Sequence, residues 1–517
     1  MKSFLLIATY LLSAICPFCS AYTVEKAFPD KMQKIMDQSK YDHSIWGIYV
    51  KDLKTGDILY DLNSDKLFSP GSTSKLFSVA ALLHAFGDDY RFKTPVYYSG
   101  KIDAGKLQGD LILVAQGDLT FGGRETKQMT IDYTKMDHIY ANMIPGAILT
   151  TEDPLSGLDD LAKQIYTKGI KEINGDVVID DTLFESTEKR GMILSPIIIN
   201  DNLIDIVINP TEIGQKANLT WRPQVPGYTV KNQVKTVSQG KPLAINITSD
   251  ESKKNIVIEG TIPTDQKNIV RTFTIMDPKS FARTAFIQAL EQNGVKVNLS
   301  VGKEAKNQSL KSFKNSQQIA LKVSPPLSEY AKLILKVSHN LGADLVALLL
   351  ASQQGKKTFD EGMLLLGDFI TQEVKIKPDS FVFIDAAGGN ENRLTPQAEI
   401  QMLEYMHKLP SSQFTRYYEG LPILGVDGSL EDFAKNTKAV GKVRAKPGTG
   451  VSFNLAIEKF FLITQGFAGY IEGQNGQLYA YIVIVNNASM PTMEDVFGFF
   501  QDDAQISNIL YDQSNTK

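Results

Sequence analysis

The sequence predicts an α+β fold in which a layered domain of strands and helices is interrupted by a β-rich insertion. Residues 44–62 have the pattern of a β-hairpin, and a long apolar helix follows them. Residues 94–310 contain mainly short β-like segments between turns, and helical patterns return after Pro325-Pro326. Because the final apolar strands need the early hairpin as a neighbour, we expect the two ends of the chain to form one domain.

The individual elements follow from local patterns. The hairpin is predicted to turn at Lys54-Thr55-Gly56, which separates two apolar segments. The helix after Pro70-Gly71 is apolar nearly all round, which is typical of a helix buried in a domain core. One helix is predicted inside the β-rich segment, near 158–168. The remaining predicted elements are helices at 328–337, 342–353, 358–372, 397–408 and 493–511 and strands at 460–471 and 478–486.

Length and composition exclude several classes of protein. A chain of 517 residues is too long for one ordinary domain, so two or three are expected. Its hydrophobic fraction of 43% and charged fraction of 22% are those of an average soluble protein. A net charge of -4 gives no basic surface for nucleic acid, and the five histidines lack metal-ligand spacing.

The first 21 residues have the pattern of a secretion signal. Lys2 precedes the mostly apolar segment 4–15, and small residues lead to a plausible cleavage site after Ala21. No later segment has the roughly 18 apolar residues that a membrane span needs, so we expect an exported, soluble mature chain. Cleavage removes Cys16 and Cys19, the two cysteines of the sequence, and with them any disulfide or thiolate chemistry.

Ser72 and Lys75 are candidates for a nucleophile and its base. Residues at positions i and i+3 share a helix face, and a serine hydroxyl needs an adjacent base to become nucleophilic. The spacing also occurs elsewhere in the chain, but only this copy follows a turn signal and opens an apolar run. The structural alternative is a serine or threonine cap on a buried helix. The other copies are Ser186/Lys189, Ser238/Lys241, Ser300/Lys303 and Ser514/Lys517.

Two later motifs complete the candidate site. Ser338-His339-Asn340 lies between two predicted helices, where the serine can relay a proton and the asparagine can bind an amide. Lys446-Pro447-Gly448-Thr449 combines a cation with a predicted strand, whose backbone N–H groups can line an oxyanion hole. Each motif alone is weak.

In this order the three motifs resemble the active-site set of penicillin-recognising serine enzymes. The 266 residues between Ser72 and Ser338 are too many for a compact class A β-lactamase. The chain is more similar to class C low-molecular-mass penicillin-binding proteins, the D-alanyl-D-alanine carboxypeptidase/endopeptidase family, which carry inserted domains between the first two motifs. Further stretches that carry the resemblance are 69–76, 174–180, 336–340, 421–430, 441–446 and 467–470.

The resemblance implies a fold and a domain division. It implies the transpeptidase-like fold of penicillin-binding proteins and β-lactamases, an antiparallel sheet with helices on both faces. The expected division is a signal at 1–21, a discontinuous peptidase domain at 22–93 and 311–517, and inserted domains at 94–310. It also implies a location in the periplasm or cell envelope of a bacterium.

The resemblance also implies a two-step acyl transfer on peptidoglycan stem peptides that needs no metal or cofactor. Ser72 would attack the carbonyl of the penultimate D-Ala, with Lys75 as the base, and a β-lactam antibiotic would stop at the acyl-enzyme. Burial and the nearby Lys446 are expected to lower the pKa of Lys75. The expected roles of the other residues are proton transfer to the leaving amine by Ser338, substrate amide binding by Asn340, carboxylate attraction by Lys446, and an oxyanion hole formed by the N–H groups of Ser72 and Thr449, with Gly448 beside it.

The sequence departs from the family pattern at several positions. Pro447 replaces a threonine and removes a hydroxyl and a backbone N–H, which a strand tolerates mainly at a sheet edge. Glu391 falls near a position where members can carry an arginine, and Glu185 and Glu188 are possible partners of a stem-peptide amine. Pro447 leaves open the alternative of a catalytically weak cell-wall-binding or penicillin-binding protein. A β-lactam hydrolase is a more distant alternative.

Overall fold

The computed structural model describes residues 28–299 and 308–514, so the predicted signal at 1–21 lies outside the described residues. Among the described residues, no helix is both long and apolar enough to cross a membrane. The α-helices are α1 (Asp30–Met36), α2 (Lys75–Phe86), α3 (Ser156–Thr167), α4 (Pro278–Gln292), α5 (Leu327–Lys336), α6 (Asn340–Gln353), α7 (Phe359–Asp368), α8 (Pro396–Lys408), α9 (Ser411–Gly420) and α10 (Val496–Gln513).

The strands belong to several separate sheets. In chain order they are β1 (Ile45–Asp52), β2 (Ile58–Leu62), β3 (Lys93–Asp103), β4 (Lys106–Val114), β5 (Glu172–Ile173), β6 (Val177–Asp180), β7 (Thr187–Lys189), β8 (Met192–Leu194), β9 (Leu203–Asn209), β10 (Asn218–Arg222), β11 (Thr229–Val237), β12 (Ala244–Ser249), β13 (Asn255–Pro263), β14 (Ile269–Thr274), β15 (Lys296–Val297), β16 (Gln317–Val323), β17 (Phe381–Val382), β18 (Arg393–Leu394), β19 (Val443–Asn454), β20 (Lys459–Glu472) and β21 (Leu478–Ser489).

A five-stranded antiparallel sheet joins the two ends of the chain. Its order is β19-β20-β21-β1-β2, so the last strand pairs with the first. The turn between β1 and β2 contains Gly56, whose φ of 81° is one that glycine adopts without strain. The predicted hairpin and its pairing with the final strands are therefore present, and β19 forms one edge of the sheet.

Helices cover both faces of this sheet. Along β21, Tyr481, Val483 and Val485 pack in the core that includes residues of α1 and α10. The alternating residues Ile482 and Ile484 pack in the core that includes α2, α5, α6 and α8. Because successive side chains of a strand point to opposite faces, a strand covered on both faces is apolar throughout. The predicted α+β fold, with helices on both faces of an antiparallel sheet, is confirmed.

The segment between the first two motifs forms sheets of its own. A six-stranded sheet has the order β15-β5-β4-β3-β16, with β6 beside β4, and α3 and α4 pack against each other and against this sheet. Two three-stranded sheets, β10-β9-β14 and β11-β13-β12, and the two-stranded sheet β7-β8 also belong to this segment. The division at 94 and 310 stays a prediction, and the pairing of β16 with β3 favours an insertion that ends nearer residue 323.

Candidate active site

Ser72 lies at the entrance to the buried helix α2. It belongs to a 3₁₀ turn, Gly71–Ser74, that leads directly into α2 at Lys75. The Lys75 side chain is fully buried, and its Nζ is 2.7 Å from the Ser72 Oγ. The turn therefore produces the predicted contact between a hydroxyl and an amine three residues apart.

Lys75 has two further hydrogen-bond partners, and both are acceptors. Its Nζ is 2.7 Å from the Asn340 Oδ1 and 2.5 Å from the Ala387 carbonyl oxygen. A neutral amine has two N–H groups and one lone pair. Because Asn340 and Ala387 can only accept at these atoms, they take both N–H groups of the neutral form. The lone pair then points to Ser72, which is the one partner able to donate a proton.

The surroundings of Lys75 favour this neutral form. Burial and the positive charge of Arg190 lower the pKa of Lys75 to about 7, against Asp344 and Asp385, which raise it. The sequence predicted Lys446 as the second cation that lowers this pKa. In the structure the cation with this effect is Arg190. The pKa of Lys446 is itself lowered, first by burial and then by the positive charge of Lys75.

Ser338 and Lys446 form a second pair of a hydroxyl and an amine. Ser338 lies between α5 and α6 with a φ of 63°, which a non-glycine residue rarely adopts. The Lys446 Nζ, which is fully buried, is 2.8 Å from the Ser338 Oγ and 2.6 Å from the Pro447 carbonyl oxygen. The structure thus brings the second and third motifs into direct contact.

Asn340 connects the two pairs. It is the first residue of α6, and His339 before it caps the helix by accepting the Gly342 N–H at its Nδ1, over 3.0 Å. Since the Asn340 Oδ1 accepts a hydrogen bond from Lys75, its Nδ2 amide hydrogens face elsewhere. An asparagine held in this way can donate to a substrate carbonyl.

The third motif is part of the edge strand β19, which runs beside the turn that contains Ser72. A side chain at Gly71 would come within 2.8 Å of the Thr449 backbone nitrogen, so the absence of one allows the strand to approach the Ser72 turn. Gly448 packs even more closely, because an added Cβ there would lie 2.2 Å from the Pro70 carbonyl oxygen. The backbone nitrogen of Thr449 therefore lies beside the turn that carries Ser72.

The sequence predicts that Pro447 lies at a sheet edge, and the structure places it at one. It lies on an edge strand, where a missing N–H costs least, and the register of β19 with β20 is unbroken from Val443 to Gly450. Thr449 therefore lies on the same face as Pro447. Its hydroxyl donates to the Gln465 Oε1 over 2.7 Å, so it is already paired and does not directly replace the hydroxyl that Pro447 lacks.

The sequence did not identify several charged residues around the site. Arg190, Asp344 and Asp385 surround Lys75, and Glu399 lies beneath the Ser72 turn, with its Oε2 2.9 Å from the Thr73 Oγ1. Their signal in the sequence is weak, because single charged residues in a 517-residue chain have no periodicity. The two acidic residues suggested as partners of a stem-peptide amine, Glu185 and Glu188, are exposed, and so is Glu391, which falls near a position where members can carry an arginine.

A buried ionic cluster lies behind Ser338. Asp137, Asp201 and His339 hold ligand atoms within 4.8 Å of one another, as a metal site would. The Arg124 guanidinium, however, donates to Asp137 over 2.8 and 3.0 Å and to Asp201 over 2.5 Å. An arginine therefore supplies the positive charge that these carboxylates need, and the cluster fits a metal ion poorly.

Comparisons with known proteins agree with this geometry. The family model described as the D-Ala-D-Ala carboxypeptidase 3 (S13) family matches residues 29–498. A D-alanyl-D-alanine carboxypeptidase from an Actinomadura species is 24% identical over 490 residues, which cover 89% of this chain and 81% of that protein. The D-alanyl-D-alanine carboxypeptidase DacB of Haemophilus influenzae is 25% identical over 471 residues, which cover 87% and 86%.

A solved structure shows the same fold over nearly the whole chain. Penicillin binding protein 4 (dacB) of Haemophilus influenzae superimposes with a TM-score of 0.71 at 21% identity, covering 93% of this chain and 99% of that one. The same protein complexed with a β-lactam gives a TM-score of 0.69 at 22% identity. With the family model matched over most of its length, the chain belongs to the D-Ala-D-Ala carboxypeptidase 3 (S13) family.

Proposed function

We propose that this protein is an exported serine peptidase that cleaves D-Ala-D-Ala termini or D-Ala cross-links of peptidoglycan through an acyl-enzyme on Ser72. Membership of the S13 carboxypeptidase family supports the reaction class. The assignment of Ser72 as nucleophile and Lys75 as base rests on the hydrogen bonds of Lys75. Its N–H groups are taken by the Asn340 Oδ1 and the Ala387 carbonyl oxygen, so its lone pair faces the Ser72 hydroxyl.

In the first half-reaction, Lys75 removes the hydroxyl proton of Ser72 as the Oγ attacks the carbonyl carbon of the penultimate D-Ala. The backbone N–H groups of Ser72 and Thr449 stabilise the negative charge that forms on the carbonyl oxygen. Asn340 donates from its Nδ2 to the substrate amide, because its Oδ1 is bound to Lys75.

Ser338 and Lys446 act on the leaving group, and water completes the second half-reaction. Ser338, within 2.8 Å of Lys446, relays the proton that Lys75 took from Ser72 to the amine of the departing residue, so that both Lys75 and Ser338 return to their starting protonation states, and Lys446 attracts the carboxylate of that residue. A water molecule then attacks the Ser72 ester and releases the shortened stem peptide. A β-lactam has no leaving amine that can diffuse away, so it remains bound as the covalent acyl-enzyme.

The location follows from the substrate. Peptidoglycan lies outside the cytoplasmic membrane, so an enzyme that cleaves it must be exported to the periplasm or cell envelope. The basic residue, apolar segment and small residues at 1–21 support export. Penicillins are the expected covalent inhibitors, and the Haemophilus protein has been solved in complex with a β-lactam.

Labelling with a fluorescent penicillin tests the proposal. We expect the wild-type protein to retain the label after denaturation and the variant Ser72→Ala to retain none. Ser238→Ala is the matched control, since Ser238 also precedes a lysine by three residues but is exposed in the inserted segment. Equal labelling of wild type and Ser72→Ala would rule out Ser72 as the nucleophile.

Pro447 favours a second candidate function, a penicillin-binding or cell-wall-binding protein with little turnover. The Thr449 hydroxyl is bound to Gln465, so this strand offers the substrate carboxylate less than the threonine pattern would. Release of D-Ala from a stem-peptide mimic separates the two candidates. Penicillin labelling without measurable D-Ala release would favour the binding protein, and D-Ala release that depends on Ser72 would favour the peptidase.

A further inference from the structure

Arg190 reaches the candidate active site from the inserted segment. It lies in the short turn between β7 and β8, with a φ of 52°, and Gly191 follows it with a φ of 73°. Its guanidinium donates to the Oδ2 of Asp344 through one terminal nitrogen and to the Oδ2 of Asp385 through the other. The arginine side chain is 29% exposed, whereas those of Asp344 and Asp385 are only 2% and 12% exposed.

Asp385 determines the conformation of the loop that follows it. Its Oδ1 accepts the N–H groups of Ala387, Gly388 and Gly389 over 3.0, 2.8 and 3.0 Å. Three backbone donors on one carboxylate oxygen fix a tight turn, because each donor would otherwise need a new partner. The loop therefore keeps its shape only while the Asp385 carboxylate stays in place.

Asp344 holds the same loop from the side of α6. Its Oδ1 accepts the Ala386 N–H over 3.1 Å. It lies one helical turn after Asn340, which contacts Lys75, so α6 binds both the loop and the amine. The two carboxylates thus fix four consecutive residues of backbone, from Ala386 to Gly389.

The loop in turn contacts the Ser72 turn and Lys75. The Ala387 carbonyl oxygen accepts one of the two N–H groups of neutral Lys75. Gly388 packs so closely that an added Cβ would lie 2.0 Å from the Gly71 carbonyl oxygen. A displaced loop would therefore remove an acceptor from Lys75 and alter the direction of its lone pair.

Two adjacent, mostly buried carboxylates repel each other unless a cation lies between them. Arginine suits this position because its planar fork donates to two carboxylates at once while its charge is permanent. Lysine could contact only one of them well. The charged groups that act on Lys75 here are Arg190, Asp344 and Asp385, and Lys446 lies within its electrostatic influence.

We propose that Arg190 is a positioning residue for the acyl transfer: it holds Asp344 and Asp385 together, and thereby keeps the 385–389 loop and the Ala387 carbonyl on Lys75. The inference rests on the proposed function. It makes the inserted segment part of the active-site scaffold, since a residue more than 100 positions before Ser338 in the sequence fixes the environment of the base.

The test combines a structural and a kinetic measurement on the full chain. We expect Arg190→Met to speed hydrogen–deuterium exchange in the peptide that contains residues 385–389, with exchange in helix α6 unchanged. We also expect acylation by a reporter β-lactam to slow by about tenfold to 100-fold, as misplacement of a catalytic group does. The pH midpoint of acylation should rise by about one unit, because Asp344 and Asp385 then act on Lys75 without a compensating cation.

Matched variants separate this role from others. Arg283→Met removes another arginine–aspartate pair of the inserted segment, in which a guanidinium nitrogen of Arg283 lies 2.6 Å from the Asp176 Oδ1. This variant should leave exchange at 385–389 and acylation unchanged. Arg190→Lys should keep the pH midpoint near that of the wild type while slowing acylation. Adding Arg190→Met to Asp385→Asn should slow acylation little further, because both act on one loop.

Three results would overturn the proposal. They are unchanged exchange at 385–389 in Arg190→Met, full additivity with Asp385→Asn, and a rise in KM on a D-Ala-D-Ala peptide at constant kcat, which would make Arg190 a substrate-binding group. If the wild type were not labelled by penicillin at Ser72, the proposed function would fail. The exchange measurement would still decide whether Arg190 positions the loop.

Discussion

Tyr140 donates a hydrogen bond from its hydroxyl to the backbone carbonyl oxygen of Ser338. Tyr140 belongs to the inserted segment, and Ser338 carries the second motif. The carbonyl that accepts this bond belongs to a residue with a φ of 63°, a conformation that costs a non-glycine residue on the order of 1 kcal/mol. The inserted segment therefore stabilises a strained residue of the candidate site, besides holding the loop through Arg190.

Removing the Tyr140 hydroxyl should weaken Ser338 without unfolding the protein. A net contribution of about 1 kcal/mol per hydrogen bond corresponds to a decrease of about fivefold in the acylation rate of Tyr140→Phe. Tyr98→Phe is the matched control, because the Tyr98 hydroxyl bonds Gln317 within the sheet of β3 and β16. Stopped-flow acylation by a reporter β-lactam measures both. An equal rate for the two variants would show that Ser338 does not depend on Tyr140.

Acylation should increase with pH as Lys75 loses its proton. Burial and Arg190 lower the pKa of Lys75 to about 7, and only its neutral form can accept the proton of Ser72. Below this pH the lysine is charged and acylation is slow, and above it the rate should reach a plateau. Second-order acylation rates between pH 5.5 and 9 test this expectation. A rate that is flat across this range would mean that Lys75 is not the titrating base.

Pro447 should limit the rate of acylation. Pro447→Thr restores a hydroxyl next to Lys446 and a backbone N–H on β19, so we expect faster acylation and faster D-Ala release. Pro447→Ala restores the N–H alone and therefore separates the two contributions. Purified variants and a stem-peptide mimic are sufficient for the measurement. Rates that stay at the wild-type value in both variants would show that Pro447 is not responsible for any weakness of the enzyme.

The sequence was sufficient for the fold and for the contacts within the motifs. The apolar run after Ser72 predicts a buried helix because periodicity depends on neighbours in the chain. It also places Lys75 next to Ser72 without any tertiary information. The helices α1, α4 and α9 are not among the elements predicted from the sequence. For α4 a local signal exists, because Asp277 and Pro278 mark its start and its buried residues repeat at helical spacing.

The long-range contacts of the site could not be predicted. Arg190 meets Asp344 and Asp385 across 154 and 195 positions of sequence, and no pattern in one chain reports such pairs. For the same reason the motifs point to Lys446 as the cation that lowers the pKa of Lys75, whereas Arg190 has this effect in the structure. Local patterns predicted the residues that meet at the candidate site, but not the charged residues that surround Lys75 there.

Glu399 should make the stability of the protein depend on pH near neutrality. Burial raises its pKa to about 8, and its Oε2 contacts the Thr73 hydroxyl, which also lies 3.1 Å from the Pro70 carbonyl oxygen. Thr73 has one proton for these two oxygens, so both contacts form hydrogen bonds only if Glu399 is protonated. The folded state therefore holds a proton that the unfolded state releases above its ordinary carboxyl pKa.

The sign of the effect follows from this difference in bound protons. Between about pH 4.5 and 8 the folded state binds more protons at Glu399, so the free energy of unfolding falls as pH rises, by at most about 1.4 kcal/mol per unit. Glu399→Gln cannot ionise and should reduce this dependence, whereas Glu404→Gln, on the same helix α8, should retain it. Urea unfolding at several pH values measures both slopes. If Glu399→Gln retained the full wild-type slope, Glu399 would have to be ionised in the folded protein, and its carboxylate would need a partner other than Thr73.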